Sequence, residues 1–464
     1  MPCAIEAVAS GARVLVVEQA ERPGGTLHVS LGQLSGAGTR LQRERGIEDS
    51  VDEHLRDIDR ISRGTARREI LKRTVPNQGA TIDWLMDNGF EMAPECPAIL
   101  HLHEAYGIAR TYWGIDGGLS VLKTVIPLFD EAIGRPNAEI LYRHRAVSLI
   151  TEDLGVVGVR IADVETGAEQ EVNAKAVVLA SGGYGANAAL FARLTNGRPL
   201  VTAAMPTSTG SGLEMAEDIG AEIVGAELFL PTYAGVVSEP DGSRIVWRQM
   251  PSLTPQVRQP WELHLAPDGS RFVREDDPSV DAREHALNAI HDLTFWCVFD
   301  EAILAKAPPL LPGWSDAELE AAWSTHPSFV SAASLGELAA KTGMSPDEAR
   351  QSISVYNAAA KGRAADPTGR VHCPQPITGP AFRAIRMHGI ILKTPAGLSV
   401  DDQLRVRRAD GRAIDGLYAV GEAIGGSTLS GRGFVSGMSV TPALTLGRWL
   451  GQSLGSRFRA EEAR

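Results

Sequence analysis

The hydrophobic positions at the start of the chain predict a helix followed by a buried strand. Residues 3–10 have the apolar spacing of a helix that ends at Gly11. Residues 13–17 (RVLVV) then form a short β-branched run, typical of a strand in a buried parallel sheet. The strand ends at Glu18, and the glycine-containing turn ERPGGT follows it. A strand and turn of this kind are typical parts of an α/β fold.

Farther along, the period of the apolar positions changes. Helical spacing recurs in four segments, 51–62, 66–73, 77–88 and 117–132. From residue 139 to residue 180 the apolar residues alternate or run together, with Gly155 and Gly167 at turns. We therefore expect several strands in this region, the last of which enters another glycine turn.

The second half of the chain predicts an inserted domain. From residue 236 to about residue 390, prolines and tryptophans are frequent, helices are short and strand signals are scattered. Residues 394–450 return to the α/β pattern, with a buried strand at 416–420, a glycine turn, and a helix that has Pro442 in its first turn.

Composition and charge exclude several classes of protein. The 464 residues are 44% hydrophobic and 22% charged, as in globular proteins, so a disordered or fibrous chain is excluded. The formal net charge of −12, without a basic run, argues against nucleic-acid binding. No apolar run approaches the ~18 residues of a membrane span.

Cysteine and histidine positions bear on the compartment and on metals. The four cysteines form no CxxC pair, which favours a reduced, cytoplasmic protein. His101 and His103 resemble a metal-binding pair, but no third ligand is near them in the sequence, so we expect a loop or a strand face and no metal.

Three strand-to-turn segments carry the chemistry. Glu18, at the end of a strand, is placed to accept hydrogen bonds from ribose hydroxyls. Residues 176–183 (AVVLASGG) bring a buried strand into paired glycines, where a backbone can approach a ligand closely. In the third segment Glu422 ends a strand, and a glycine loop leads to a helix start near 437–439, whose N–H groups stabilise negative charge. Each of the first two segments is equally compatible with a plain turn.

Together with STGSGLEMAEDIGAE and DGSRFVRE, these segments resemble the fumarate reductase/succinate dehydrogenase flavoprotein family, which includes tricarballylate-type and 3-ketosteroid dehydrogenases. The resemblance extends over nearly the whole chain. It implies an α/β fold that consists of a Rossmann-like FAD-binding domain in two halves (1–235 and 394–464), with an α+β capping domain (236–393) inserted between them. The active site would lie between them.

The resemblance also implies a set of FAD-binding residues. Glu18 would bind the adenosine ribose, the Val147 backbone would contact adenine, and Glu422 would hold the ribitol. Thr26 stands where membrane-bound relatives carry a covalently linked histidine, and His28 is two residues away, so we expect non-covalent FAD. Ser211 replaces a more usual aspartate. The remaining candidates are Gly25, Gly32, Gly182, Lys393, Gly421, Gly437, Met438 and Ser439.

Two departures from the family stand out. The glycine fingerprint and the first strand are absent, so we expect a truncated start and a poorly stable or flavin-poor product. The dicarboxylate-binding set is also incomplete. Ser279 stands at the position of the family's proton-donating arginine, with Arg274 and Arg283 nearby, and Leu392 replaces the substrate histidine beside Lys393. Fumarate itself is therefore not the expected substrate.

The candidate catalytic residues are drawn from the same resemblance. Arg432 matches the carboxylate-binding arginine, and Arg258 aligns with a second arginine, although Pro255 replaces the acid before it. Arg258 and Arg248 are also compatible with surface charges. The other candidates are Arg283, His388 near the return from the cap, and Tyr112, for which core packing is the alternative.

The implied activity is oxidation or reduction of a CH–CH unit beside a carboxylate or carbonyl, with hydride exchanged at flavin N5 and a side chain moving the proton. The substrate would be an acid, ketone or steroid-like molecule, and a separate electron donor or acceptor is needed, since haem and iron–sulfur motifs are lacking. The alternatives are a flavin-free interaction protein and a flavoenzyme acting on an amine or alcohol.

Overall fold

A computed structural model describes residues 1–238, 243–246 and 250–462. The first part of the chain mixes helices with short strands. Its helices are α1 (Pro2–Ala9), α2 (Arg40–Glu44), α3 (Val51–Ile61), α4 (Arg68–Asp87), α5 (Gly118–Ile133), α6 (Ala188–Leu194) and α7 (Ser211–Asp218). Its strands are β1 (Val14–Glu18), β2 (Leu34–Ser35), β3 (Thr111–Tyr112), β4 (Ala138–Tyr142), β5 (His144–Glu152), β6 (Gly155–Asp163), β7 (Glu169–Asn173), β8 (Val177–Leu179), β9 (Ile223–Val224) and β10 (Thr232–Gly235).

The rest of the chain contains the cap and then returns to the first part. The cap elements are β11 (Leu263–Leu265), α8 (Val280–Asn288), β12 (Thr294–Asp300), α9 (Glu301–Leu304), α10 (Asp316–Thr325), β13 (Phe329–Ala332), α11 (Leu335–Thr342), α12 (Pro346–Ala360) and β14 (Phe382–Ile390). They are followed by β15 (Gly397–Leu398), β16 (Arg405–Arg407), β17 (Ala413–Ala419), α13 (Gly426–Ser430) and α14 (Val440–Glu462).

Parallel pairing brings the strand ends of the first and last parts together. β1 is parallel to β4, with Glu18 opposite Tyr142. β8 is parallel to β17, so Leu179 lies opposite Ala419 although the two are far apart in sequence. The turns that follow β8 and β17 therefore leave the sheet at the same edge.

The cap is built on an antiparallel sheet in the order β10–β14–β12–β11, with β13 also paired to β14. β10 belongs to this sheet although it precedes residue 236, the predicted start of the cap. Its central strand β12 (TFWCVFD) is buried at every position, which explains its continuous run of apolar residues. α8 precedes β12 and carries buried charged residues, including Arg283 and Glu284. These polar residues are unusual for a buried helix face, and they belong to the site described below.

The hydrophobic core is divided in the same way as the sheets. One core joins side chains of the first and last parts, such as Ile70, Leu213 and Leu417. A second core lies between Tyr233 and Met387 and includes Phe295 and Tyr356. The domain boundaries 1–235, 236–393 and 394–464 remain a prediction. The packing observation that is relevant to these boundaries is the presence of separate cores.

Most predicted elements are present, but two predicted helices are one. The segments 66–73 and 77–88 form the single helix α4, which continues through Pro76. Proline removes a backbone hydrogen bond and usually interrupts a helix. Here the helix continues, and both halves are packed: Ile70 lies in the first core, and Ile82 packs with Leu34 and Val121 in a third. No helix within the described residues has the length and apolar character needed to cross a membrane.

Candidate active site

Glu18 lies beside a cavity at the end of β1. Its Oε1 accepts a hydrogen bond from the backbone N–H of Ala20 at 2.8 Å. The cavity has a volume of about 220 Å³ and is lined by Glu18, Ala20, Glu21, Arg22, Gly25, His28, Met205 and Thr207. A carboxylate in the wall of this cavity fits the predicted contact with ribose hydroxyls.

The glycine turn after β1 forms a 3₁₀ helix, Gly25–His28, that also contains Thr26. Gly25 has a φ of +50°, and a side chain added there would meet open space. Gly32 has a φ of +67°, and an added Cβ would lie 2.4 Å from the carbonyl carbon of Gly117. Gly32 is therefore required for the close approach of two backbones, whereas Gly25 faces space that a ligand can use.

Val147 and Gly182 offer exposed backbone to a ligand. The register of β5 against β6 steps from Ala146 to Ser148, so Val147 has no residue directly opposite it. A bulge of this kind leaves backbone groups outside the strand ladder, as the predicted adenine contact requires. Gly182 has a φ of +78° with open space where a side chain would be, and Ser211 begins α7 after the left-handed Gly210.

Glu422 connects the turns after β8 and β17. Its Oε1 accepts hydrogen bonds from the Thr394 backbone N–H at 2.7 Å and from the Thr394 hydroxyl at 2.8 Å. An added Cβ on Gly183 would lie 2.5 Å from the same oxygen, so only glycine leaves room there. Burial raises the pKa of Glu422, while the bonds from Thr394 act in the opposite direction. Gly421, just before it, has a φ of +69°.

The loop before α14 packs against β2. Gly437 has a φ of +73°, and an added Cβ would lie 2.4 Å from the backbone of Leu34. Met438 is buried, and its sulfur accepts a hydrogen bond from the Gln78 side chain at 3.3 Å, whereas Ser439 is exposed. The predicted pyrimidine-facing residues therefore sit on a loop whose backbone position is fixed.

Arg432 and Arg258 have very different surroundings. Arg432 is exposed, and its backbone N–H donates to the Thr65 hydroxyl at 2.8 Å. Arg258 is buried and donates to both carboxylate oxygens of Glu262, at 2.8 and 3.1 Å, and to the carbonyl of Pro308 at 2.9 Å. The Arg258 guanidinium is thus committed to the cap itself. Arg248 lies outside the described residues.

Arg283 is a buried arginine with spare hydrogen-bonding capacity. One terminal nitrogen donates to the Leu253 carbonyl at 2.7 Å, and the guanidinium carbon lies 5.2 Å from the Tyr233 ring centroid. Its Nε has no partner within the described residues. Burial lowers the pKa of Arg283. Ser279, four residues earlier, caps α8 by accepting from Ala282, and its hydroxyl donates to Glu104 at 2.9 Å.

A polar cluster joins α8 of the cap to the FAD-binding part. His103 Nδ1 lies 3.6 Å from Glu284 Oε1, and its ring stacks on Phe434 with centroids 3.5 Å apart. The Lys393 Nζ lies 4.3 Å from the centroid of the same phenylalanine. Burial lowers the pKa of Lys393 to about 8, and Glu284 and Glu422 oppose that shift. Arg63 and Asp281 form a second link at 2.5 Å.

The unpartnered atoms concentrate at this contact. Buried side-chain atoms without a hydrogen-bond partner in the described residues include those of His103, Asp281, Arg283, Glu284, His285 and Lys393. Two pairs of these atoms face each other, Asp281 Oδ1 and His285 Nε2 at 3.3 Å and Glu284 Oε1 and His103 Nδ1 at 3.6 Å. The atoms of Arg283 and Lys393 are then the ones left to receive polar ligand atoms. Sequence reasoning missed Glu284 and Phe434, whose partners come from distant parts of the chain.

The last two candidates lie elsewhere. His388 is in β14, opposite Thr294 and Gly235, and burial lowers its pKa to about 4, with smaller effects of Arg386 and His326. Tyr112 is fully buried, with its hydroxyl 2.7 Å from the Thr39 hydroxyl. Neither has a described contact with the cluster around Phe434, and for Tyr112 the structure favours the packing alternative.

Comparison with known proteins agrees with this arrangement. Residues 1–433 match the protein family described as FAD binding domain. The chain is 26% identical over 450 residues to probable fumarate reductase Ifc3 of Shewanella frigidimarina, covering 96% of this chain and 71% of that protein. It is 27% identical over 448 residues to vinyl phenol reductase of Lactiplantibacillus plantarum, covering 92% and 87%.

The fold is also similar to that of a solved flavocytochrome c3 fumarate reductase in its open conformation. The TM-score is 0.73 at 23% identity, over 98% of this chain and 76% of that one. The open space at Gly25 and Gly182 and the buried carboxylate of Glu422 fit a dinucleotide that spans the two strand ends. The chain belongs to the FAD binding domain family and is an FAD-dependent oxidoreductase.

Proposed function

We propose that the chain reduces a carbon–carbon double bond next to a carboxylate or carbonyl group, or dehydrogenates the corresponding single bond in the reverse direction. The observation that carries this proposal is the group of unpartnered buried polar atoms where α8 meets the FAD-binding part, among them those of Arg283, Glu284 and Lys393. Relatives named for fumarate and vinyl phenol, both of which contain a carbon–carbon double bond, support the choice of reaction.

FAD is held non-covalently in this proposal. Glu18 receives the ribose hydroxyls, the backbone of Val147 lies at the adenine, and Glu422 contacts the ribitol chain. Gly25 and Gly182 leave space for the dinucleotide. When bound, FAD supplies hydride exchange at N5 of its flavin.

Arg283 is the group that we propose holds and moves the proton at the carbon beside the one that exchanges hydride. Its Nε lies buried without a partner, and burial lowers its pKa, which makes proton release easier than from an exposed arginine. Arg283 lies in the first part of α8, four residues after Ser279, which caps that helix. Arg432, in the exposed loop, meets the substrate as it enters.

The substrate in this proposal carries less charge than a dicarboxylate. The Arg258 guanidinium is already bound to the Glu262 carboxylate, and Leu392 stands where the family has a histidine. Closure of the cap over the site excludes water from the reacting carbons. A separate donor or acceptor supplies the electrons, and a cytoplasmic location stays part of the proposal.

The test combines cofactor analysis with turnover. The purified protein is examined for a flavin spectrum, and its released cofactor is identified. Unsaturated acids and ketones are offered with a reduced dye, and their saturated counterparts with an acceptor dye. We expect turnover with a mono-acid or ketone that exceeds turnover with fumarate. If FAD-loaded protein turns over no substrate at a CH–CH unit in either direction, the proposal is wrong.

Substitution of Arg283 tests its role. R283M should lower kcat by about 10² to 10⁴, the range for loss of a general acid, with bound FAD unchanged. R350M is the matched control, because Arg350 is an exposed cap arginine whose ion pair in the described part of the chain is with Asp347. A kcat for R283M within about twofold of the control would remove Arg283 from the mechanism.

A further inference from the structure

A buried tyrosine is bonded to the loop that precedes α14. Tyr106 lies between α4 and β3, and its side chain is 3% exposed. Its hydroxyl lies 2.6 Å from the carbonyl oxygen of Ser436, which is also buried and is 330 residues away in the chain. A carbonyl oxygen can only accept a hydrogen bond, so the Tyr106 O–H is the donor. The bond therefore acts on the peptide unit that joins Ser436 to Gly437.

The same peptide unit carries the N–H of Gly437, one of the residues expected at the pyrimidine edge of the flavin. This N–H donates to no backbone carbonyl within the described residues. Gly437 is packed tightly, since an added Cβ would lie 2.4 Å from the backbone of Leu34. A hydrogen bond into the Ser436 carbonyl polarises the peptide, and a polarised peptide has a stronger N–H donor. Tyr106 can thus change the strength of the Gly437 N–H without touching a ligand.

Two further side chains hold Tyr106 in place. His54 Nε2 lies 3.4 Å from the Tyr106 oxygen, and the two rings meet edge to face at 87°. Burial, with a smaller effect of Arg110, lowers the pKa of His54 well below its usual value, so its imidazole is neutral. Because the Tyr106 proton is directed at Ser436, Nε2 is the donor in this pair. The guanidinium carbon of Arg110 lies 5.2 Å from the centroid of the Tyr106 ring, and two carboxylates hold Arg110 itself.

We propose that Tyr106 is a positioning residue that raises the reduction potential of bound FAD through the peptide between Ser436 and Gly437. Reduction adds electron density to the pyrimidine end of a flavin, and a stronger N–H donor there stabilises the reduced form more than the oxidised form. The inference rests on the contact between Gly437 and FAD in the proposed function. Tyr106 lies outside the set of FAD-binding residues that the family resemblance implies.

The potential of FAD-loaded Y106F, measured by equilibration with a reference dye, tests this role. Because one hydrogen bond strengthens the next only partly, Y106F should lower the equilibrium constant for two-electron reduction about three- to fivefold, which is about 15–20 mV. The dissociation constant of reduced FAD should rise by the same factor relative to that of oxidised FAD. Y356F is the matched control, because the buried Tyr356 of α12 donates to the Gln375 carbonyl at 3.0 Å in the cap. It should keep the wild-type potential.

A second substitution keeps the bond and should shift the potential in the opposite direction. Tyr106→3-fluorotyrosine, introduced at this single position, retains the ring and the hydroxyl. Its phenol is more acidic and therefore a stronger donor to the Ser436 carbonyl, so the potential should rise above that of the wild type. The same replacement at Tyr356 should leave the potential unchanged.

Two results would overturn the inference. One is a wild-type potential in both Y106F and the fluorotyrosine protein. The other is equal weakening of oxidised and reduced FAD by Y106F, which indicates that Tyr106 only holds the loop. If Y106F retains no FAD, the fluorotyrosine protein decides: a raised potential supports the inference, and an unchanged one refutes it.

The potential is measured without substrate, so the inference and the proposed reaction can fail separately. A shifted potential in a protein that turns over no CH–CH substrate supports the inference and removes the proposed reaction. An unshifted potential in a protein that turns over such a substrate does the reverse.

Discussion

Replacement of Arg258 by methionine should destabilise the cap strongly. The side chains of Arg258 and Glu262 are only 5% and 2% exposed, and the two N–O contacts are 2.8 and 3.1 Å. R258M leaves the Glu262 carboxylate buried without its cation. Breaking one side of a buried pair costs about 3–5 kcal/mol, because the remaining charge is uncompensated.

The double variant R258M/E262M separates a structural role from a catalytic one. With both charges removed, most of the loss should be recovered, leaving about 1–2 kcal/mol for the lost bonds to the Pro308 carbonyl and from the Trp261 N–H. Unfolding in urea gives the free energies, and dye-linked turnover gives the activity. R350M, which breaks an exposed pair in the same cap, should cost about 0–1 kcal/mol.

Two outcomes would refute this reasoning. If R258M is no more destabilising than R350M, the buried pair does not hold the cap. If R258M/E262M regains stability but remains inactive while binding FAD, Arg258 contacts the substrate, as the sequence resemblance implied.

Two further predictions concern backbone and pH. G32A should lose more stability than G64A in thermal unfolding. Both glycines have a positive φ, so alanine costs about 1–2 kcal/mol at either position, but only at Gly32 does the new Cβ also meet backbone, at 2.4 Å from Gly117. Equal losses of stability would contradict the close approach of the two backbones. The pKa of His388 falls from 6.5 to about 4 on folding, so the unfolded chain binds the proton more readily and stability should fall as pH drops from 6.5 towards 4. H388Q should flatten that part of the pH–stability curve, and an unchanged slope would remove His388 as its cause.

The strand-and-turn framework was predictable from the sequence, since its signals are local. The β-branched run before Glu18 and the run that ends at Leu179 both form strands, and each strand is followed by the glycine turn that the sequence predicts. Their burial was less well predicted, because β1 is only half-buried at every position and in β8 only Leu179 is fully buried. The continuation of α4 through Pro76 was not predictable, because a proline is locally a signal for the end of a helix.

The polar contacts between the cap and the FAD-binding part were harder to find. Glu284 lies in a helix whose sequence is as charged as a surface helix, and its partner His103 is about 180 residues away in the chain. Arg258 shows the opposite case. Its alignment predicts substrate binding, and the acid four residues later, Glu262, is a sequence signal for the internal partner that the structure shows.

The kind of contact that α8 makes across the interface bears on how the site opens. Ser279 bonds to Glu104, Asp281 pairs with Arg63, and Glu284 approaches His103. Each of these groups can exchange its partner for water, so separating them costs less than separating an apolar face of equal size. The α8 side of the interface is therefore polar, whereas Val201 and Ala203 of the first part pack with Val237, Ile245 and Ile390 of the cap elsewhere along it. We expect α8, with Arg283 and Glu284, to move for substrate entry more easily than this apolar part of the interface.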